Sequence, residues 1–189
     1  MGEKEVLALF EKSGALLKGH FKLSSGLHSE KYLQCALVLQ YPDVAEDLSK
    51  ALAEKFSKEK IDVVIGPALG GVTLAYEVAR AIGKRGLFTE RQDGHMVLRR
   101  GFSVSKGEKV LVVEDVVTTG GSTKEVIDLI GSFGANVIGV GSIIDRSSSV
   151  IDFGIPFRSL AKVNVETFAE KDCLFCKNNI PVTKPGSRR

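Results

Sequence analysis

Cysteine is scarce in this chain of 189 residues, which contains only three. Such a small, odd number does not build the disulfide framework of a small secreted protein. Cys173 and Cys176 form a lone CxxC after the last plausible strand, a position that does not fit a thioredoxin-like redox motif. A zinc site usually needs four ligands, and the remaining candidates are Cys35, His20, His28 and His95. We therefore predict that the pair serves helix packing, with no metal site, and keep zinc as the less favoured alternative.

The chain also lacks long apolar runs and a large excess of charge. No run reaches about 18 apolar residues, and the first residues, MGEKEVLALFEKSG, are acidic and amphipathic rather than signal-like. The net charge is only +3, with basic and acidic residues interleaved, which argues against a nucleic-acid partner but suits small anions. We see no repeat or linker, so we expect a soluble, cytoplasmic protein with a single domain over residues 1–189 and no membrane partner.

The most informative stretch is KVLVVEDVVTTGGST, residues 109–123. Val110 to Val113 have the continuous apolar pattern of a strand buried on both faces. Glu114 and Asp115 follow at its carboxyl end, where open α/β sheets bind ligands, and adjacent carboxylates can accept hydrogen bonds from vicinal ribose hydroxyls. The next residues predict a phosphate-binding turn that opens a helix: Thr118, Thr119, Gly120, Gly121, Ser122 and Thr123. The alternative is an ordinary strand, turn and capped helix; no Gly-Lys-Ser/Thr ending indicates a Walker loop.

This stretch resembles the signature of type I phosphoribosyltransferases, which bind phosphoribosyl pyrophosphate (PRPP). The resemblance implies an α/β fold of that type, with a mostly parallel central sheet flanked by helices. It also implies a small N-terminal hood, formed mainly by residues 1–40 and the C-terminal segment.

Residues 19–40 predict two strands joined by a Ser-Ser-Gly turn. Their FxLSSGxHSxxY pattern resembles the amino-terminal segment of orotate phosphoribosyltransferases, in which the hood holds the base, and this implies substrate contacts from Ser25 and Gly26. One branch of that family has Lys at the position of Ser24, so a lysine contact is not expected there. The alternative is a solvated hairpin outside the domain.

Residues 61–65 predict the first strand of the main sheet, followed by the loop Gly66-Pro67-Ala68-Leu69-Gly70-Gly71 and a helix. Glycines between a buried strand and a helix leave backbone amides available to an anion. The resemblance implies that Ala68, Gly70 and Gly71 receive pyrophosphate. Some relatives have Lys at the position of Gly70, so binding here is expected to depend more on backbone amides and on a metal. A plain tight turn is the alternative.

Residues 85–102 predict a hairpin whose turn is Asp93-Gly94. Its cations outnumber the nearby acids Glu90 and Asp93, so not all can be in structural pairs: Lys84, Arg85, Arg91, Arg99 and Arg100. The resemblance implies a homodimer in which loop 90–98 closes over the pyrophosphate of the neighbouring subunit, with Arg91 and His95 as its catalytic contacts. The alternative is a solvated hairpin.

Residues 136–144 predict a strand that ends in Asp145-Arg146. Arginine offers a carboxylate a planar, two-pronged donor that lysine lacks. The resemblance places Arg146 against the carboxylate of orotate, whereas a local contact between Asp145 and Arg146 is the alternative.

The resemblance as a whole implies an enzyme that joins orotate to PRPP with Mg²⁺, in which Glu114 and Asp115 hold the ribose and favour the developing positive charge. Two alternatives stay open. The chain could serve another base, which would not need Arg146, or it could be a regulatory protein that binds PRPP without turnover. Such regulators usually add a DNA-binding segment, and no helix-turn-helix precedes the sheet here.

Overall fold

The computed structural model describes residues 1–23 and 25–185. The polar chain end PVTKPGSRR, residues 181–189, predicts a loose tail. Its last four residues and the expectation for Ser24 lie outside the described residues. The helices are α1 (Glu3–Lys12), α2 (Cys35–Leu39), α3 (Pro42–Glu54), α4 (Gly70–Ile82), α5 (Gly121–Ser132) and α6 (Leu174–Lys177), with a 3₁₀ turn at Glu170–Asp172. The strands are β1 (Leu16–Lys22), β2 (His28–Leu33), β3 (Val63–Pro67), β4 (Arg85–Gln92), β5 (His95–Val97), β6 (Lys109–Val117), β7 (Asn136–Asp145) and β8 (Phe157–Lys162).

A six-stranded sheet in the order β5-β4-β3-β6-β7-β8 forms the centre of the molecule. Every neighbouring pair is parallel except β4 and β5, so the predicted mostly parallel sheet is confirmed. Because the central strands β3, β6 and β7 are parallel, their carboxyl ends meet at one edge. The loops that follow them are therefore gathered at the edge where ligands bind in such sheets.

Both faces of the central strands are buried. Val64, Leu111 and Val113 pack on one face with α1, α2, α3 and α4, whereas Val63 and Val112 pack on the other with α5. Successive residues of a strand point to opposite faces, so a strand covered on both sides needs an unbroken apolar run. This is why the continuous run in β6 identified it correctly as a central strand.

The hood is a separate two-stranded antiparallel sheet of β1 and β2, together with residues 166–185. The C-terminal part joins it through isolated bridges from Thr183 to Phe21 and from Phe168 to His28. The predicted loose tail was therefore wrong at Thr183, which pairs with β1.

The predicted strand over residues 35–40 was also wrong. These residues form α2, in which Cys35, Val38 and Leu39 are buried. Their spacing of three and four residues places all three on one face of a helix, against the core. No helix within the described parts of the chain is long and apolar enough to cross a membrane.

Candidate active site

Strand β6 continues beyond the acid pair to Val117, four residues further than the sequence predicts. Because neighbouring residues of a strand point to opposite faces, Glu114 and Asp115 diverge. Glu114 lines a larger cavity of about 560 Å³, and Asp115 lines a smaller one of about 160 Å³. The two carboxylates therefore border adjoining cavities.

Glu114 is oriented by α5. The hydroxyl of Thr123 donates a short hydrogen bond to Oε2 of Glu114, and Thr123 is fully buried. The side chain of Thr123, a predicted phosphate contact, is thus used to hold Glu114. If Thr123 contacts a phosphate, it does so through its backbone N–H.

Asp115 lies in a confined position next to the β3–α4 loop. An ideal Cβ built on Gly70 would be 2.5 Å from Oδ2 of Asp115. Burial raises the pKa of Asp115 above that of an ordinary carboxyl group, and hydrogen bonds from the backbone N–H groups of Val116 and Asp115 oppose that rise in part. The carboxylate is therefore shielded from solvent and packed against a glycine.

The loop 118–122, the predicted phosphate-binding turn, lines the larger cavity. Gly120 has φ +74°, and an ideal Cβ there would lie 2.8 Å from the ring of Phe153, so only glycine fits. The first backbone N–H groups of a helix have no acceptor within the helix. At the start of α5, the one side-chain acceptor found among the described residues is Thr119 Oγ1, which lies 3.5 Å from Gly121 N. This helix start can therefore bind an anion.

The β3–α4 loop holds strand and helix in unusually close contact. An ideal Cβ on Gly66 would lie 2.8 Å from the carbonyl carbon of Gly71, and one on Gly71 would lie 2.9 Å from Cδ of Pro67. The peptide between Ala68 and Leu69 is cis. Ala68, Gly70 and Gly71, the predicted pyrophosphate contacts, do not line the two cavities; Gly70 lies behind Asp115.

Arg146 lines both cavities. Burial lowers the pKa of its guanidinium, and the nearby Tyr32 and Cys35 act in the opposite sense. The alternative of a local contact between Arg146 and Asp145 is not found among the described residues. Asp145 instead lies 3.6 Å from Nζ of Lys162 and accepts a hydrogen bond from the backbone N–H of Ser147. Within the described residues no salt bridge includes Arg146.

Residues of the hood also line the two cavities. Of the two predicted substrate contacts in its turn, Ser25 lines the larger cavity, whereas Gly26, with φ +83°, lines neither cavity. Sequence reasoning missed several lining residues: Leu23, Leu27, Tyr32, Leu33, Gln34, Cys35, Val116, Ser148, Val165 and Thr167. Tyr32 could have been found, since it closes the FxLSSGxHSxxY pattern. Val165 and Thr167 carry no local signal, because only the path of the chain brings them here.

The basic hairpin has the predicted Asp93-Gly94 turn, with φ +50° and +86°. Three of the five cations form ion pairs, and none is found for Lys84 or Arg99 within the described residues, which agrees with the prediction that not all five are paired. Arg91 pairs with Glu125 at 2.9 Å, Arg100 with Glu90 at 2.7 Å and Arg85 with Glu108 at 2.8 Å. Glu108 and Glu125 are distant in the sequence, so counting nearby acids missed them. Neither Arg91 nor the exposed His95 lines the two cavities.

A second cluster of polar side chains lies in the hood, away from these cavities. We call it the His/Cys cluster; its members are His20, His28, Cys173 and Cys176. One ligand atom from each lies within 4.8 Å of the others. The sequence favours helix packing for the CxxC pair over a zinc site, whereas the structure places the pair against two histidines.

Comparisons with known proteins agree with this geometry. The phosphoribosyl transferase domain family matches residues 38–170. Orotate phosphoribosyltransferase from Caldanaerobacter subterraneus subsp. tengcongensis is 60% identical over 189 residues, covering the whole of both chains. The enzyme of the same name from Thermotoga maritima is 55% identical over 185 residues, 98% of this chain and 97% of that one.

Solved structures show the same fold. The orotate phosphoribosyltransferase of Aeropyrum pernix superposes with a TM-score of 0.72 at 28% identity, covering 84% of this chain and 93% of that one. That of Mycobacterium tuberculosis, in complex with inorganic phosphate, gives 0.70 at 23% identity, covering 85% and 95%. With a matching domain, full-length relatives and a common fold, the chain belongs to the orotate phosphoribosyltransferase family.

Proposed function

We propose that the chain transfers the phosphoribosyl group of PRPP to orotate, giving orotidine 5′-monophosphate and pyrophosphate. The observation that carries this proposal is the position of Arg146, which borders both cavities and has no carboxylate partner in a salt bridge among the described residues. A cation held in this way is suited to an anionic ligand, and orotate carries a carboxylate.

The larger cavity has the features needed for the ribose 5′-phosphate. Loop 118–122 presents the amino-terminal N–H groups of α5, which favour a phosphate. Glu114 lies in the same cavity and is oriented by Thr123, so it can accept hydrogen bonds from ribose hydroxyls. Phosphate and ribose would thus bind side by side along one loop.

The smaller cavity has the features needed for the base. Tyr32, Leu33 and Gln34 of the hood face Arg146 and Asp115 across it. Arg146 would bind the orotate carboxylate through its planar fork. Asp115 would then lie next to the reacting ribose carbon, where its negative charge favours the positive charge that develops on the ring.

The reaction is a displacement at the anomeric carbon of ribose, in which pyrophosphate leaves and a ring nitrogen of orotate attacks. Fixed positions for the phosphate, the ribose and the base make the attack effectively intramolecular, which supplies much of the rate. Hood residues line both cavities, and with substrates bound they would help to keep water away from a ring that would otherwise be hydrolysed.

We further propose Mg²⁺ as the cofactor. Mg²⁺ prefers oxygen ligands, and Glu114 and Asp115 supply carboxylate oxygens at the two cavities, so the donor set fits the ion. When bound, the ion would neutralise charge on the departing pyrophosphate. Position 70 is glycine here and lysine in some relatives, so the loop 66–71 offers pyrophosphate only backbone groups from its glycines. Neutralisation of pyrophosphate by Mg²⁺ is therefore more important in this chain.

A homodimer in the cytoplasm completes the proposal. The hairpin carries Arg91 and His95 at an exposed tip, and neither residue lines the cavities of its own chain. Loop 90–98 would therefore reach the cavities of a neighbouring subunit. Arg91 would have to exchange Glu125 for pyrophosphate to act there.

The test is an assay of orotate consumption by the purified protein with PRPP and Mg²⁺, followed by identification of orotidine 5′-monophosphate. Uracil, adenine and hypoxanthine serve as control bases under the same conditions. Turnover restricted to orotate supports the proposal. Faster turnover of another base would overturn the choice of substrate, and PRPP binding without turnover of any base would indicate a regulatory protein.

A further inference from the structure

The C-terminal segment is tied to the hood at two points. His28 and Phe168 exchange two backbone hydrogen bonds of 2.8 Å each. Thr183 donates to the carbonyl of His20 and accepts from the backbone N–H of Lys22. Both histidines of the His/Cys cluster therefore lie on strands that hold this segment, and the CxxC pair lies on the segment between the two ties.

The hydrophobic effect contributes little to holding this segment. Leu174, Ile180 and Val182 are exposed by 43% or more, and α6 has no buried residue. The exception is Cys173, which precedes α6 and is fully buried beside His20 and His28, themselves only 4% and 2% exposed. The best-buried contact between segment and hood is thus a polar one.

Hydrogen bonding alone does not account for the cluster. Nδ1 of His20 lies 2.8 Å from the carbonyl of Ile180, which can only accept, so Nδ1 carries the proton and Nε2 offers a lone pair. Three groups approach that single lone pair: His28 Nδ1 at 2.8 Å, Cys173 Sγ at 3.5 Å and Cys176 Sγ at 3.7 Å. One lone pair accepts one proton, so it satisfies only one of these three groups, and Cys176 Sγ also lies 3.2 Å from Nδ1 of His28.

The distances suit a tetrahedral ion. Zinc bonds of about 2.3 Å to sulfur and about 2.0 Å to nitrogen place the ligand atoms roughly 3.3 to 3.8 Å apart. Three of the four sulfur-to-nitrogen distances are 3.2, 3.5 and 3.7 Å. The two ring nitrogens, at 2.8 Å, would have to separate by about half an ångström, and any pair of ligand atoms near the upper limit of 4.8 Å would have to approach by about one ångström.

The remaining chemistry agrees. A carbonyl that binds the far nitrogen of a metal-bound histidine fixes its tautomer, and Ile180 does this for His20. Nε2 of His28 is buried with no partner among the described residues, so this ring makes its polar contacts through Nδ1, towards the cluster. Two thiolates would neutralise the two positive charges of a divalent ion, and the two imidazoles are uncharged. A buried centre without net charge costs little desolvation free energy.

We propose that the His/Cys cluster binds one Zn²⁺ ion, which fastens the C-terminal segment to the hood. Two sulfur and two nitrogen ligands in a tetrahedron favour zinc, and four protein ligands leave no open position, so the site is structural. This reverses the sequence-based preference for packing alone. The histidines are eight residues apart and the cysteines lie more than 140 residues away, so the sequence shows no zinc-finger spacing.

The first experiment measures metal content by mass spectrometry after dialysis, on protein expressed with zinc and freed of any histidine tag. We expect one Zn²⁺ per chain in the wild type and almost none in Cys173→Ser or Cys176→Ser. The matched control is Cys35→Ser, the same change at a buried cysteine outside the cluster, which should retain all of the zinc. A wild type without zinc, a wild type with iron instead, or equal zinc in all three variants would overturn the proposal.

A second experiment needs no variant, so it decides the matter even if the serine variants fail to fold. Zinc is replaced by Co²⁺, whose visible ligand-field bands and thiolate charge-transfer bands report tetrahedral coordination by sulfur. We expect both sets of bands, and their absence would overturn the site. Titration of thiols after denaturation with a chelator should find three per chain; a result of one would mean that Cys173 and Cys176 form a disulfide instead.

The structural role has its own measurement. Chelation of zinc should lower the unfolding temperature of the wild type to that of Cys176→Ser, and it should leave the variant unchanged. An unfolding temperature that chelation does not alter would show that the ion does not hold the segment.

Discussion

Gly70 and Asp115 are in direct contact, although one begins α4 and the other lies near the end of β6. An ideal Cβ on Gly70 would be 2.5 Å from Oδ2 of Asp115, closer than real Cβ atoms come to any neighbour. The absence of a side chain at Gly70 is therefore what allows the Asp115 carboxylate to take its present position. Gly70 lines neither cavity, but it determines where the Asp115 carboxylate lies in the smaller one.

Gly70→Ala should displace the Asp115 carboxylate and leave the fold intact, since only one short side chain has to move. We expect kcat/KM for PRPP to fall at least roughly tenfold, which corresponds to about 1.4 kcal/mol of transition-state stabilisation. The matched control is Gly131→Ala in α5, where an added Cβ meets nothing within 4 Å. That change should leave activity unaltered and stabilise the helix slightly. Equal activity in both variants would contradict the role of the contact.

Asp115→Asn should lower kcat by roughly a hundredfold, the loss typical of one electrostatic contact to the transition state. The shape of the side chain is kept, so the circular dichroism spectrum should not change. Steady-state kinetics with orotate and PRPP provide the measurement. Near-normal turnover would remove Asp115 from the mechanism.

The same variant should be more stable than the wild type without substrate at neutral pH. Burial raises the pKa of Asp115 in the folded chain above its unfolded value. Its contribution to stability is therefore fully present below the unfolded pKa and is lost as pH rises through the folded pKa. Asparagine cannot ionise, so the variant does not lose this contribution to the free energy of unfolding as the pH rises. Thermal unfolding across pH should show a gap that closes towards acid pH, and a less stable variant at neutral pH would contradict this reasoning.

Arg146→Ala should weaken the use of orotate by about 1.5 to 3 kcal/mol, the size of a hydrogen bond to a charged group. PRPP binding, measured by calorimetry, should remain close to that of the wild type. Arg146→Lys is the control, because it keeps the charge and loses the planar fork, so its orotate KM should be intermediate. Equal losses for both substrates would instead indicate that Arg146 supports the fold.

The hairpin should act on the neighbouring subunit. The test mixes two inactive variants, Asp115→Asn and a double variant with Arg91→Ala and His95→Ala, and allows the subunits to exchange. A mixed dimer then has one site with both defects and one with neither, so equal mixing should restore about a quarter of the wild-type activity. Each variant mixed with itself is the control. No recovery would show that the hairpin serves its own subunit or that the chain is a monomer.

The sequence by itself determined the central sheet and the loops at its edge. The apolar runs of β3 and β6 predict strands covered on both faces, and the glycines after them permit the sharp turns from which α4 and α5 begin. Loop 118–122 and Arg146 could therefore be assigned to the site from local pattern, because parallel strands bring their carboxyl ends together.

Only the tertiary structure decided which side chains meet across these elements. Arg91 finds Glu125, 34 residues away, and Thr123 turns to Glu114 instead of to the phosphate loop. Cys173 meets His20 across 153 residues. Local pattern reports propensity and burial, whereas contacts between distant side chains depend on the path of the whole chain. The acid partners of the hairpin and the His/Cys cluster arise only when the C-terminal segment and α5 have packed against the rest of the fold.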